Sequence, residues 1–178
     1  MAMSGMANWF EAAKTGQNKE QLSAARGKFE NGLHSSQLAA LQSFVTSDEK
    51  LILMCRCQRL VENYRYTALL LTSKQLVWAS KPAFKKCRSG CLSWRDVTDV
   101  TVLREGDVVV RTRSQTLRLV GFDRSGRSVS FDGETHTAAP EYLGALMKLL
   151  MRNEPYDAAS LRAVGGRIRH GGHNVGPR

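Results

Sequence analysis

The sequence contains no hydrophobic run that approaches the ~20 residues needed to span a membrane. Its first residues, MAMSGMANWFEAAK, lack the basic start and apolar centre of a secretory signal peptide. These absences predict a cytoplasmic protein, which would meet a membrane only at its surface. A hydrophobic content of 42% excludes a disordered chain. Its 178 residues are enough for one domain with a real core and extensions.

Residues arranged for catalysis are also scarce. Two of the four histidines lie in the glycine-rich stretch GGRIRHGGHNVGPR at the end of the sequence. No Ser-His-Asp spacing, nucleophile elbow or phosphate-binding glycine loop that opens a helix is present. The sequence therefore predicts a protein that is not an enzyme and needs no cofactor.

The four cysteines form two pairs, Cys55-x-Cys57 and Cys87-x3-Cys91. Structural zinc sites usually space their cysteines by two to four residues, and two thiols on a strand together with two near a loop would allow such a site. Without a secretory signal the thiols are expected to stay reduced. Small, buried, apolar cysteine is the ordinary alternative, and we predict no metal.

Positive charge, in contrast to catalytic or membrane-spanning features, is abundant. The formal net charge is +10, and residues 51–152 alone carry seventeen cations and nine anions. A basic surface favours anionic partners, namely nucleic acid, anionic lipid or an acidic protein. A device for solubility is the simpler alternative.

The hydrophobic pattern divides the chain into helical ends and a β-rich centre. Apolar residues at spacings of three and four predict a helical hairpin over 18–46, broken at Asn31-Gly32, with Ser36 as an N-cap. Its apolar stripes are expected to pack on the domain or on another copy of the chain.

From residue 50 the period changes to two or to continuous β-rich runs. Strands are predicted at 50–60, 64–72, 75–80, 91–103, 107–113, 116–122 and 127–131, and 91–103 is either one long strand or a broken pair. Short separators with turn residues favour an antiparallel meander. Residues 138–152 return to helical spacing, with Pro140 in the first turn and Leu146 and Leu150 on the apolar face.

The segments LLLTSKQLVWAS and SWRDVTDVTVLREGDVVVRT resemble the bacterial pleckstrin-homology-like (PH-like) family over about residues 48–152. In one departure, Lys74-Gln75 replaces the family's usual Asp-Arg pair. The resemblance implies an α+β fold that is mainly β: a seven-stranded antiparallel barrel or sandwich with a C-terminal capping helix. We expect a helical extension at 1–47, the PH-like domain at 48–152 and a flexible basic tail at 153–178. The N-terminal hairpin is similar to a short oligomerisation motif that accompanies such domains.

The resemblance also implies that the basic run 81–88 is a loop at the rim of the barrel, where PH-like modules commonly carry their ligand. Arginine offers paired donors suited to phosphate, whereas charges on a strand edge can simply discourage aggregation. If Ser114-Gln115 is a two-residue turn, Arg111 and Arg118 face each other, and an anion would relieve their repulsion. The candidate anion-binding or partner-binding residues are Arg56, Arg59, Arg65, Lys81, Lys85, Lys86, Arg88, Arg111, Arg113 and Arg118.

Three functions follow from this interpretation. The first is a non-catalytic binding or assembly module that docks on a protein partner and self-associates. The second is binding to anionic membrane lipids through basic rim loops. The third is nucleic-acid binding, although a platform for bases interleaves cations with stacking residues and only 7% of this chain is aromatic.

Overall fold

The structure is a computed structural model, and it describes residues 16–29, 33–59, 64–82, 84–122, 128–157 and 159–161, except for the side chains of 59 and 64–66. Two N-terminal helices precede eight strands and a third helix. The helices are α1 (16–25), α2 (Ser35–Phe44) and α3 (Pro140–Met151), and the strands are β1 (Leu51–Arg59), β2 (Tyr64–Thr72), β3 (Gln75–Ser80), β4 (Arg88–Ser93), β5 (Val97–Val102), β6 (Val108–Thr112), β7 (Thr116–Val120) and β8 (Ser128–Ser130). Among these residues, no helix is long and apolar enough to cross a membrane.

The strands form one antiparallel sheet in the order β4-β3-β2-β1-β7-β6-β5. The long strand β1 holds the sheet together, because it pairs with β2 along most of its length, with β8 near its start and with β7 at its end. The predicted α+β architecture and antiparallel pairing are confirmed, but the meander is divided into β1–β4 and β5–β7, which meet where β1 pairs with β7. Within the described residues, β4 and β5 do not pair with each other, so the expected closed barrel is not formed.

The sheet stays open because the chain turns sharply between β4 and β5. The predicted run 91–103 is a broken pair of strands, separated by Trp94, Arg95 and Asp96. The Trp94 side chain is buried, and its indole N–H donates to the Thr72 carbonyl over 2.8 Å. Beyond this corner β5 pairs with β6 instead of continuing β4, which gives eight strands where seven were predicted.

Strands β1 to β3 are apolar on both faces. Successive residues alternate between two separate cores: Leu69 and Leu71 enter the first, whereas Ala68 and Leu70 enter the second. A strand that is covered on both sides reads as a continuous hydrophobic run, which explains the sequence ALLL. The first core lies between β1–β3, the strands β5–β7 and helix α3.

Helix α3 fills the first core. It begins at Pro140, two residues after the predicted start at 138, so Pro140 does lie in the first turn, and Leu146 and Leu150 are both buried. Gly144 allows a close approach to β5, since a Cβ at this position would overlap Cγ2 of Val102. The chain after the helix returns to the same core, where Leu161 is buried.

The N-terminal helices cover the other face of the sheet. Leu22 and Phe29 from the first helical segment and Leu41 from α2 lie in the second core with Met54 and Leu70 of the sheet. Packing on the domain was one of the two predicted arrangements for these stripes. Residues on both sides of the predicted boundaries at 48 and 152 therefore share buried cores.

Two buried polar residues fix the N-terminal segment to the strands. The Glu49 carboxylate accepts hydrogen bonds from the Thr72 hydroxyl over 2.6 Å and from Gln75 Nε2 over 2.8 Å. It also accepts from the Thr46 backbone N–H over 3.0 Å. The Gln37 amide donates to the Ala79 carbonyl over 3.0 Å. Such polar groups are tolerated in an interior because each has a partner.

The N-cap of α2 is His34 rather than the predicted Ser36. His34 Nδ1 accepts from the Ser36 backbone N–H over 3.2 Å, and Gln37 Oε1 accepts from the His34 N–H over 3.2 Å. This reciprocal pair satisfies donors that the first helical turn would otherwise leave unpaired. The side-chain acceptor at this N-cap is therefore an imidazole nitrogen and not the predicted hydroxyl.

We expect Leu41→Ala to lower the free energy of unfolding by ~2–5 kcal/mol, the usual cost of a cavity at a fully buried leucine. Leu38→Ala is the matched control, because Leu38 is only partly buried, and it should cost clearly less. Urea unfolding followed by circular dichroism measures both. A loss at Leu41 below about 0.5 kcal/mol, the range of ordinary surface changes, would contradict the second core.

Gly144→Ala should destabilise the protein even though alanine favours a helix by about 1 kcal/mol. The added methyl group overlaps Val102 Cγ2, and the strain of overpacking is typically 1–3 kcal/mol. Val102→Ala removes the overlapping atom, so the double variant should recover part of the loss in the same urea assay. If the double variant instead loses as much free energy of unfolding as the two single variants added together, this close contact would be contradicted.

Candidate binding surface

The loop between β3 and β4, residues 81–87 and here called the basic loop, is shaped by one of its own cations, and the last residue of the predicted run, Arg88, is the first residue of β4. The Lys81 ammonium donates to the Lys85 carbonyl over 2.6 Å and to the Pro82 carbonyl over 3.2 Å. Lys81 therefore serves to fold the loop, because its charge satisfies loop carbonyls that would otherwise face solvent. Lys85 and Lys86 are left exposed beyond it.

The most exposed apolar side chain of the described residues is Phe84, which lies in this loop and is fully accessible to solvent. No carboxylate of the described residues lies within ion-pair distance of Lys85 or Lys86. An aromatic ring next to two unpaired ammonium groups thus projects from the sheet. In the sequence, the phenylalanine among the cations of PAFKKCR was the available signal for this feature, which the charge pattern alone does not indicate.

Two of the predicted anion-binding residues are already paired with carboxylates. Arg111 Nη1 lies 2.6 Å from Asp99 Oδ2, and Arg118 donates to Asp107 through Nε at 2.8 Å and Nη2 at 2.5 Å. Hydrogen bonds from the Thr101 hydroxyl and from Arg111 lower the pKa of Asp99. These ion pairs occupy the guanidinium groups that the sequence analysis had assigned to an external anion.

The predicted repulsion between Arg111 and Arg118 is absent because the register differs from the assumed one. Arg111 is opposite Thr116, and Arg118 is opposite Val109. The turn lies one residue earlier than assumed: the Thr112 N–H donates to the Gln115 carbonyl over 2.8 Å, so the two-residue turn is 113–114 instead of 114–115, and every cross-strand partner moves by two residues.

The other candidates are dispersed over the molecule. The Arg56 guanidinium lies over the Phe29 ring, 5.4 Å from its centroid, where it joins β1 to the N-terminal segment through a cation–π contact. Arg88 is exposed on β4, and Arg113 is exposed in the turn after β6. The side chains of Arg59 and Arg65 lie outside the described residues. The ten predicted residues therefore do not form one site, and the basic loop gathers the densest group.

Three of the four cysteines have thiols with raised pKa values. Burial raises the pKa of Cys55 to about 12, and it also raises the pKa of Cys87 and of Cys91. Raised values keep thiols protonated and poorly nucleophilic at neutral pH. In the part of the chain that the structure describes, no group of three histidine, cysteine or acidic side chains is placed to hold a metal ion.

A buried titratable cluster, missed by the sequence analysis, joins residues 132–136 to helix α3. His136 Nε2 lies 2.9 and 2.8 Å from the two carboxylate oxygens of Asp132, and His136 Nδ1 lies 2.8 Å from the Tyr142 hydroxyl. One tautomer satisfies all of these groups, with Nε2–H donating to Asp132 and the Tyr142 hydroxyl donating to Nδ1. The side chains of Asp132 and His136 are completely buried, so the cluster supports a structural role.

Tyr156 completes this cluster and should make the protein sensitive to alkali. Burial and the nearby Asp132 carboxylate raise the pKa of Tyr156 to about 12, against about 10 in an unfolded chain. The folded state therefore keeps a proton that the unfolded state loses. The associated stability is complete below about pH 10 and is lost as the pH rises to about 12.

We expect Tyr156→Phe to weaken the fall in stability over this alkaline range, because phenylalanine retains the packing but cannot ionise. Urea unfolding at a series of pH values measures the effect. The wild type is the control, because its lysines and other tyrosines are the same as those of the variant. When the absorbance of tyrosinate is followed against pH, the ionisation step at the highest pH should be missing in the variant. Parallel curves for the two proteins would contradict the assignment.

Comparisons with known proteins leave the family open. No protein-family model matches the chain, and no curated protein matches it. Among solved structures, the chain is similar to the C-terminal domain of an unknown protein from Leishmania infantum, with 16% identity and a TM-score of 0.40. That similarity covers 58% of this chain and 85% of the other. The comparisons therefore assign neither a family nor an activity.

Proposed function

We propose that this chain is a non-catalytic PH-like binding module that docks on an anionic membrane surface through its basic loop. The observation that carries the proposal is the fully exposed Phe84 beside the exposed, unpaired Lys85 and Lys86. An aromatic ring at the level of the lipid headgroups with ammonium groups around it is the arrangement that interfacial binding requires.

The PH-like part of the proposal is supported by the order of the elements. A series of antiparallel strands is followed by one amphipathic helix. Strand β1 pairs both with β2, the next strand in the chain, and with β7, near the end of the series. The same segments carry the sequence resemblance described above. Helix α3 closes one side of the first core, which leaves the loops between strands as the accessible parts of the module.

The expected affinity is modest. Burying one phenylalanine contributes about 1.5–3 kcal/mol, and each lysine near an anionic surface contributes roughly 1 kcal/mol. Together Phe84, Lys85 and Lys86 give roughly 3.5–5 kcal/mol, a weak and reversible association typical of a single anchor. Further cations of the net +10 chain would add a longer-range attraction that salt screens.

Docking on a protein partner, with or without self-association, is the second candidate. The observation that favours it is that β4 is the last strand on its side of the sheet. Such an edge presents backbone donors and acceptors to which an extended segment can add. Because the apolar stripes of the N-terminal helices are used in the second core, they offer less support for self-association. Nucleic-acid binding has weaker support, because Trp94 is buried and Trp78 is partly buried.

Flotation with vesicles tests the proposal. The wild type should bind phosphatidylcholine vesicles that contain phosphatidylserine and should not bind pure phosphatidylcholine. We expect Phe84→Ser to weaken binding about tenfold or more at every salt concentration, as the apolar contribution implies. The double variant Lys85→Ser and Lys86→Ser should weaken it strongly at low salt and less at high salt.

Lys28→Ser together with Lys50→Ser is the charge-matched control, since both lysines are exposed and lie outside the basic loop. This control should retain most of the binding. Duplex DNA is compared at equal ionic strength. Wild-type protein that binds neither vesicle above background would refute the proposal, and tight binding to DNA with none to vesicles would replace it with the third function.

A further inference from the structure

A second surface feature is independent of the basic loop. Residues 91–93 and 95–98, at the corner between β4 and β5, and residues 112–115, at the turn between β6 and β7, line a groove of about 550 Å³. This volume lies within the range of small-molecule sites and is much larger than a single phosphate ion. Each wall of the groove contributes one arginine, Arg95 from the corner and Arg113 from the turn.

The two arginines differ from their neighbours in having no acidic partner. Arg111 and Arg118 are held by Asp99 and Asp107. By contrast, no ion pair of the described residues includes Arg95 or Arg113, and both are exposed. Carboxylates thus neutralise Arg111 and Arg118, whereas the two arginines that line the groove remain available.

Both arginines are carried by well-ordered turns. In the 113–115 turn, the Thr112 hydroxyl accepts from the Ser114 and Gln115 backbone N–H groups over 3.3 and 3.0 Å. At the corner, the Asp96 N–H donates to the Ser93 carbonyl over 3.0 Å, and the buried Trp94 indole anchors the chain. Supports of this kind reduce the ordering that a ligand must otherwise impose.

We propose that this groove binds a phosphate-bearing ligand between the guanidinium groups of Arg95 and Arg113. Planar guanidinium forks match phosphate oxygens in pairs. Ser93 and Ser114 lie in the same lining, and their hydroxyls supply further donors. Asp96, also in the lining, opposes anions and would favour ligands that bring a hydroxyl or amino group next to the phosphate.

Titration with inorganic pyrophosphate at low ionic strength, followed by calorimetry, tests the site without any lipid. The wild type should show saturable binding at one site. Arg95→Gln and Arg113→Gln should each weaken it about tenfold or more, which is the usual effect of losing a charged hydrogen-bond donor. Asp96→Asn should strengthen binding, because it removes the opposing charge while retaining the shape of the turn.

Arg104→Gln is the matched control. Arg104 is an exposed arginine between β5 and β6, outside the groove lining, and no described ion pair includes it. Its replacement should leave binding nearly unchanged. Absence of saturable binding in the wild type, or an equal loss in Arg104→Gln and the groove variants, would overturn the proposal.

The phosphate could belong to a soluble compound or to a lipid headgroup, and vesicles containing phosphatidic acid separate the two sources. In a Lys85→Ser, Lys86→Ser background, a further loss of vesicle binding on Arg113→Gln indicates a headgroup, and no further loss indicates a soluble ligand. Because the pyrophosphate assay contains no membrane, its failure would leave the proposed docking through the basic loop intact. Failure of the flotation assay would likewise leave the proposed phosphate site in the groove intact.

Discussion

The rest of the structure depends on the burial of both faces of strands β1 to β3. Alternate residues of these strands enter two different cores, so the chain has to supply cover on each side of the same sheet. On one side the cover is α3 with β5–β7, and on the other it is the N-terminal helices. Large apolar areas drive both contacts. The buried Glu49 and Gln37 then fix where the helices lie, because each finds its hydrogen-bond partners in one arrangement.

Because both faces of the sheet are packed, the strand ends from which the loops leave are held in place. The basic loop leaves β3 and returns into β4, two paired strands of that sheet, and Lys81 bonds to the loop's own carbonyls. The corner at Trp94 is tied to Thr72 in β2. Carboxylates neutralise two of the arginines on the strands, Arg111 and Arg118. Lys85, Lys86, Arg95 and Arg113 take part in no ion pair of the described residues, and all four are exposed to solvent.

The sequence predicted the elements of this fold well because their signals are local. Period-two runs gave the strands, helical spacing gave α3, and the continuous run ALLL indicated burial. Pairing partners were harder, since a turn placed one residue earlier decided whether Arg111 faces Arg118 or Thr116. The break at Trp94 depends on a hydrogen bond to Thr72, 22 residues earlier in the chain, which no local pattern encodes. Phe84 was visible in the sequence, but its exposure was not, because a single phenylalanine in a loop can turn inward or outward.

Native-state hydrogen exchange tests most directly whether the two-sided sheet is one cooperative unit. The slowest amides of α2, β2 and α3 should exchange with the same free energy, equal to that of global unfolding, because each element covers or forms the same three strands. Amides of α2 that exchange far faster than those of β2 and α3 would contradict the account. They would show that the N-terminal helices are a separable layer on a sheet that is stable without them.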